Sequence, residues 1–177
     1  TLVLLNFGGI MDKLFLVKID YKYCNYLRKF DNKVPYNMDK KELRPFIGVL
    51  FEINKCKYFA PLSSPKEKHK RLKNQIDLIK IEDGKLGVIN FNNMVPVMKN
   101  NYVEFNLNKK TNDKKEYKRI ELMKKQLRWL TTNKKEIYTK SKLLYNLYKN
   151  NKLSLSVRNR CCNFILLETK CKEYNKE

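Results

Sequence analysis

The hydrophobic pattern changes period once along this chain, and that change limits the folds open to it. Before about residue 108, apolar residues come in short runs rich in β-branched and aromatic types, at 14–19, 45–53, 57–62, 75–82, 86–91 and 103–107. Asn54-Lys55 separates one pair of runs and Asp83-Gly84 another, so each pair reads as a hairpin. One stretch interrupts this series. Residues 21–30 carry Tyr23, Tyr26, Leu27 and Phe30 at helical spacing, and the polar segment 32–44 with Pro35 then reads as a loop. After residue 109 the period becomes helical throughout. Ile120, Met123, Leu127 and Leu130 step 3-4-3; Ile137, Leu144, Leu147 and Tyr148 form a second stripe; Phe164, Leu167, Cys171 and Tyr174 form a third. Strands followed by helices predict an α+β fold, a mostly antiparallel sheet with helices packed on it.

A length of 177 residues with 42% hydrophobic content suits one domain with a real core. That domain is expected over 11–177. Residues 1–10 are apolar but lack a basic n-region and a small-residue cleavage site, and they read as a leader or an upstream-frame remnant. No stretch is long and apolar enough to span a bilayer, so a cytoplasmic protein without a membrane partner is expected. The five cysteines (Cys24, Cys56, Cys161, Cys162 and Cys171) are odd in number and show no C-x-x-C spacing. They read as reduced thiols, and the single His69 cannot complete a Cys/His zinc set. No metal and no cofactor is expected.

The net charge is +21, from 39 Lys and Arg against 18 Asp and Glu. So large an excess repels itself unless a polyanion absorbs it, and nucleic acid is the commonest such partner. The excess is concentrated. Residues 109–152 hold 15 basic and 4 acidic side chains, and 66–73 hold 5 and 1. Lysines without matching glutamates gain no i,i+4 pairing on a helix. A phosphate-facing surface accounts for them better than a solvated face. Lys68, Lys70, Arg71, Lys73, Lys114, Lys115, Lys118 and Arg119 are the candidate RNA-binding residues.

The segment Ser63-Ser64-Pro65-Lys66-Glu67 leaves a strand and enters a short helix. Ser64 at the N-cap, Pro65 at the first helical position and Glu67 at the third would make a capping box. The same geometry would offer free backbone N–H groups and the Lys66 charge to a phosphate. Capping and phosphate binding are compatible readings. His69 falls on this helix and reads as an ordinary surface residue. No carboxylate cluster suits a magnesium-dependent nuclease, and one histidine excludes paired-histidine ribonuclease chemistry. Attack by a 2′-hydroxyl on its own phosphodiester remains feasible. It needs alignment and charge stabilisation, which Ser and Lys supply.

Several ordered blocks resemble the ToxN/AbiQ family of type III toxin–antitoxin toxins. They are Lys33-Val34-Pro35, the run from Phe46 through Ile53, Lys57 through Lys66, Leu86 through Phe91, Met94 through Val97, and Cys162 through Glu168. The resemblance implies an endoribonuclease with a strongly twisted antiparallel sheet flanked by helices, distantly similar to MazF/Kid-like toxins. It implies metal-free cleavage leaving a 2′,3′-cyclic phosphate, and a role in abortive phage infection. It also implies inhibition by a small repeat-derived RNA pseudoknot in a closed protein–RNA oligomer, with no stable protein partner. The family's Thr/Ser-Ser-Pro-Lys motif falls on Ser63, Ser64, Pro65 and Lys66. Ser64 would position the 2′-hydroxyl or the phosphate, and Lys66 would stabilise the charged transition state. Where the family tends to carry Lys before Phe-Ile-Gly, this chain has Arg44, which clamps phosphate but does not accept a proton. Lys33 and Tyr36 are the substitute candidates for that role. The alternative is a non-catalytic basic RNA-binding module, in which Ser64 would matter only as a cap.

Overall fold

In the computed structural model, which describes residues 13–36 and 44–174, the apolar runs of the first half become strands of one antiparallel sheet. β1 (Phe15–Ile19) leads into α1 (Tyr21–Arg28), whose first turn is capped by Asp20 accepting from the backbone N–H of Lys22 and Tyr23. β2 (Phe46–Gly48), β3 (Glu52–Ile53) and β4 (Cys56–Ser63) follow, then α2 (Glu67–Arg71). β5 (Leu78–Lys80), β6 (Val88–Asn90), β7 (Val95–Val97) and β8 (Tyr102–Glu104) complete the strands among the described residues. Four helices follow among the described residues: α3 (Lys114–Thr132), α4 (Lys134–Lys149), α5 (Leu155–Arg160) and α6 (Phe164–Tyr174). The α+β expectation holds. Residues 1–10, read as a leader or remnant, lie outside the described residues, as does most of the 32–44 loop.

β4 organises the sheet. The strand order is β5-β6-β4-β2-β1-β8, and β3 and β7 also pair with β4. The N-terminal half of β4 therefore lies between β3 and β7, and its C-terminal half between β2 and β6. Its burial explains the near-continuous apolar sequence, for Cys56 and Tyr58 through Leu62 are all buried. The run 45–53 is two strands, not one, and both pair with β4. Asn54 and Lys55 form the β3–β4 turn with φ of 51° and 68°, as a two-residue hairpin of this type requires.

The run 75–82 starts to pair only at Leu78, because Asp77 is diverted. Asp77 is buried, and Arg160 binds its two carboxylate oxygens at 3.0 and 3.2 Å. Its carbonyl meanwhile takes the N–H of Phe91. β7 and α5 carry no periodic signal and were not expected. Three residues around Pro96 are too few to alternate, and no residue of α5 is fully buried.

The helices bury the stripes that the periodicity marked. Ile120, Met123 and Leu130 of α3, Ile137 and Leu144 of α4, and Phe164, Leu167 and Cys171 of α6 all enter the core. Each fully buried large apolar side chain contributes about 1.5–3 kcal/mol of transfer free energy. On α3, however, Gln126 is buried where the sequence pointed to Leu127, and its Nε2 donates to the Leu86 carbonyl at 2.8 Å. That bond pins α3 against the β5–β6 connection. No helix among the described residues is long and apolar enough to cross a membrane.

Candidate active site

Ser63 ends the central strand and is held from both sides. It registers opposite Val88 of β6, and the N–H of the preceding Leu62 donates to the Pro45 carbonyl at 2.9 Å. With Phe46 opposite Pro61, this register brings Arg44 beside Ser63. Asn90 Nδ2 donates to Ser63 Oγ at 2.9 Å. The Ser63 hydroxyl thus accepts from Asn90 and keeps its own hydrogen to donate elsewhere. Gly87, at φ 104°, lies against this strand end so closely that a Cβ there would fall 1.9 Å from the Ser63 carbonyl oxygen.

The chain after Ser63 corrects the capping expectation. α2 begins at Glu67, its N-cap is Lys66 in extended conformation, and no side chain caps it. Ser64 lies two residues upstream of that cap, because the chain stays extended through Lys66 instead of turning at Pro65. Ser64, Pro65 and Lys66 are exposed, so Ser64 has no capping role. Five residues of helix also make no anion site at their N-terminus, so side chains are left to hold a phosphate.

His69 is a second correction. It is buried, not a surface residue, and its Nδ1 has no hydrogen-bond partner. It sits beneath the turn Ile81–Gly84, where a Cβ on Gly84 would meet the His69 carbonyl at 2.8 Å. Burial, then the Lys68 and Lys66 charges, lower its pKa below the ordinary histidine value. His69 packs the short helix that follows the exposed serine–lysine segment against this turn.

A pocket of about 330 Å³ gathers these groups. Arg44, Ser63, Ser64 and Lys66 line one side; Arg119, Leu122, Met123 and Gln126 of α3 line the other. Three cations and no carboxylate stand among the described lining residues. Burial lowers the Arg44 pKa from its ordinary value. The α3 wall is placed by the Asp113 cap, which accepts from the N–H of Lys115 and Glu116, and by the packing of Ile120 and Met123. Such a pocket suits a phosphodiester, with hydroxyls to orient it and cations to hold its charge.

Four of the six candidate catalytic residues therefore come together: Ser63, Ser64, Lys66 and Arg44. Lys33 and Tyr36 do not line this pocket. The Lys33 carbonyl instead accepts from Asn93 Nδ2 at 2.9 Å, and the Tyr36 ring packs 5.5 Å from the Arg28 guanidinium. Of the candidate RNA-binding residues, Arg119 lines the pocket itself. Lys115, one turn earlier on α3, and Lys118 extend the same flank into solvent with Lys114. Lys68, Lys70, Arg71 and Lys73 are exposed on and after α2, with Lys70 paired to Glu67 at 2.8 Å. Asn90 and Gln126 went unmarked in the sequence. Neither residue carries a local signal, and only the strand register and helix docking bring them here.

Comparison with known proteins decides the lineage. Residues 15–172 match the family model of toxin ToxN, of type III toxin–antitoxin systems. The chain belongs to the ToxN family. Endoribonuclease ToxN of Pectobacterium atrosepticum is 35% identical over 167 residues, covering 90% of this chain and 92% of its own. Endoribonuclease ToxN of Bacillus thuringiensis subsp. kurstaki is 33% identical over 162 residues, covering 89% and 82%. A solved structure from work on selective toxin inhibition by a non-coding RNA pseudoknot in type III systems superposes with a TM-score of 0.79. It is 33% identical, and the match covers 94% of this chain and 100% of that one. The ToxN match spans the whole pocket, from Arg44 to Gln126.

Proposed function

We propose that this chain is an endoribonuclease toxin of a type III toxin–antitoxin system, cleaving RNA in the cytoplasm within the pocket at the end of β4. The observation that carries this reading is the pocket lining: Ser63, Ser64, Lys66, Arg44 and Arg119 around about 330 Å³, with no carboxylate among the described lining residues. The 2′-oxygen attacks the adjacent phosphorus. The new O2′–P bond forms as the P–O5′ bond breaks, leaving a 2′,3′-cyclic phosphate and a 5′-hydroxyl. The 2′-hydroxyl proton leaves to solvent, and solvent returns one to the 5′-oxygen. Ser63 and Ser64 orient the phosphate, and Lys66 and Arg44 hold the charge that grows on it. Cations and hydroxyls are poor ligands for Mg²⁺, which prefers carboxylate oxygens, so the reaction is expected to run without it.

The same basic surface would hold an inhibitory RNA. The ToxN relatives named above, and the pseudoknot inhibition of the similar toxin, support a small structured RNA as antitoxin. The closed protein–RNA assembly and the role in phage defence belong to this proposal.

The test is incubation of the purified chain, freed of RNA, with cellular RNA in excess EDTA beside Ser64→Ala and Lys66→Ala. Cleavage with cyclic phosphate ends by the unmodified chain alone is expected. Salt-sensitive binding without cleavage would select the non-catalytic RNA-binding module instead.

A further inference from the structure

We propose that Arg119 is a catalytic residue of this site, contacting the non-bridging oxygens of the scissile phosphate. The inference rests on the ribonuclease reading and adds to it a group from α3, fifty-five residues beyond Ser64.

Arg119 differs from the lysines in the first turns of its helix. Lys114, Lys115 and Lys118 are exposed, whereas the Arg119 side chain is 29% exposed and lines the pocket. Its Nη1 is shielded from solvent and has no hydrogen-bond partner. Buried donors are nearly always satisfied, and a charged one more strictly so. The nearby carboxylate does not satisfy it. Glu116 stands 3.8 Å from Nη2, beyond hydrogen-bond reach, and is already engaged by Lys109 at 3.0 Å and Thr111 at 2.9 Å. The Phe105 ring lies 5.5 Å from the guanidinium carbon. The guanidinium is thus backed by an aromatic ring, ion-paired to Glu116 only at 3.8 Å, and left with one shielded N–H group unpartnered in a pocket it shares with Ser64 and Lys66.

That arrangement suits a planar fork aimed at phosphate oxygens. Negative charge on those oxygens peaks in the transition state, where the 2′-oxygen is adding to phosphorus and the 5′-oxygen has not fully departed. A donor placed there binds the transition state more tightly than the ground state. Arg119 takes no proton at any step. It holds charge while solvent exchanges protons with the 2′- and 5′-oxygens.

The test measures single-turnover cleavage of an RNA oligonucleotide in EDTA by the full chain and by Arg119→Ala, Arg119→Lys and Arg119→Met. RNA affinity is measured in parallel with each change on a Ser64→Ala background. The rate at saturating RNA is expected to fall about 10²–10³-fold in Arg119→Ala, with affinity changed only a few-fold. Arg119→Lys recovers part of the rate, and added methylguanidinium rescues Arg119→Ala but not Arg119→Met, whose side chain fills the space. Equal rates at saturation, or a loss confined to affinity, overturns the catalytic role while leaving the ribonuclease reading intact. So does a rate loss in all three variants that tracks a lowered Tm and resists rescue. An unmodified chain that cleaves no RNA overturns the ribonuclease reading, and this inference with it.

Discussion

The Tyr58 hydroxyl donates to Glu168 Oε1 at 2.6 Å, and Tyr145 donates to the same oxygen at 2.7 Å. All three residues are buried. One carboxylate oxygen therefore joins the central strand to α4 and α6. Removing the acceptor strands the buried Tyr145 hydroxyl and leaves Tyr58 only a long 3.4 Å bond to the Phe164 carbonyl. Glu168→Leu is expected to lower stability by about 2–5 kcal/mol, and Glu168→Gln, which keeps an acceptor oxygen, by about 1–2 kcal/mol. Urea unfolding of the two variants reads the difference; equal losses would mean that the hydroxyls do not depend on Glu168.

The same packing predicts alkaline unfolding. Burial raises the pKa of Tyr23, Tyr58 and Tyr145 above the ordinary value of 10.0, and the Glu168 carboxylate raises those of Tyr58 and Tyr145 further. A group whose folded pKa is raised contributes stability fully present below its unfolded pKa and lost as pH climbs above it. Tm is expected to hold to about pH 10 and then fall, with tyrosinate absorbance appearing together with unfolding. Tyrosinate absorbance from these side chains in a still-folded chain would contradict this.

Gly87 tests the placement of Ser63. At φ 104°, with a Cβ position 1.9 Å from the Ser63 carbonyl oxygen, Gly87→Ala must push the strand end aside. About 1–3 kcal/mol of destabilisation is expected, with a cleavage rate at least tenfold lower. Misplacement of the pocket hydroxyl by even an ångström would cost that much. Calorimetry and cleavage assays on one preparation check both parts.

His69 predicts an acid-side loss. Its pKa is lowered in the folded chain, so its contribution is full above its unfolded pKa of about 6.5 and declines as pH falls below it. Between pH 7 and 5 the unmodified chain is expected to lose stability that His69→Phe, which cannot titrate, retains. Parallel slopes for the two proteins would remove His69 from the account.

RNA binding is expected to be strongly salt-dependent. On a Ser64→Ala background, Lys115→Gln with Lys118→Gln should weaken affinity for all RNA sequences alike. The slope of log K against log salt should fall by about 1–2. Titrations from 50 to 300 mM salt would show an unchanged slope if these lysines face only solvent.

Much of this protein was legible in local order. Helical stripes, hairpin turns at Asn54-Lys55 and Asp83-Gly84, and the strand-then-helix plan all follow from interactions between near neighbours in sequence. The Ser63-Ser64-Pro65-Lys66 motif and Arg44 were legible in the same way, as blocks in order. The sequence by itself therefore determined the element types, the basic excess and half the pocket. The tertiary structure alone decided how β4 pairs with four strands at once, that α2 starts beyond Ser64, and that His69 faces inward. It also decided which member of a lysine- and arginine-rich helix enters the site. Arg119 and Lys118 are adjacent in sequence and equal in charge. Only the docking of α3, through Gln126 onto the Leu86 carbonyl and Met123 into the core, turns one toward the pocket and leaves the other in water. The reason is physical: charge and periodicity are properties of neighbouring residues, whereas a pocket is made by contacts between residues that the chain brings together only on folding.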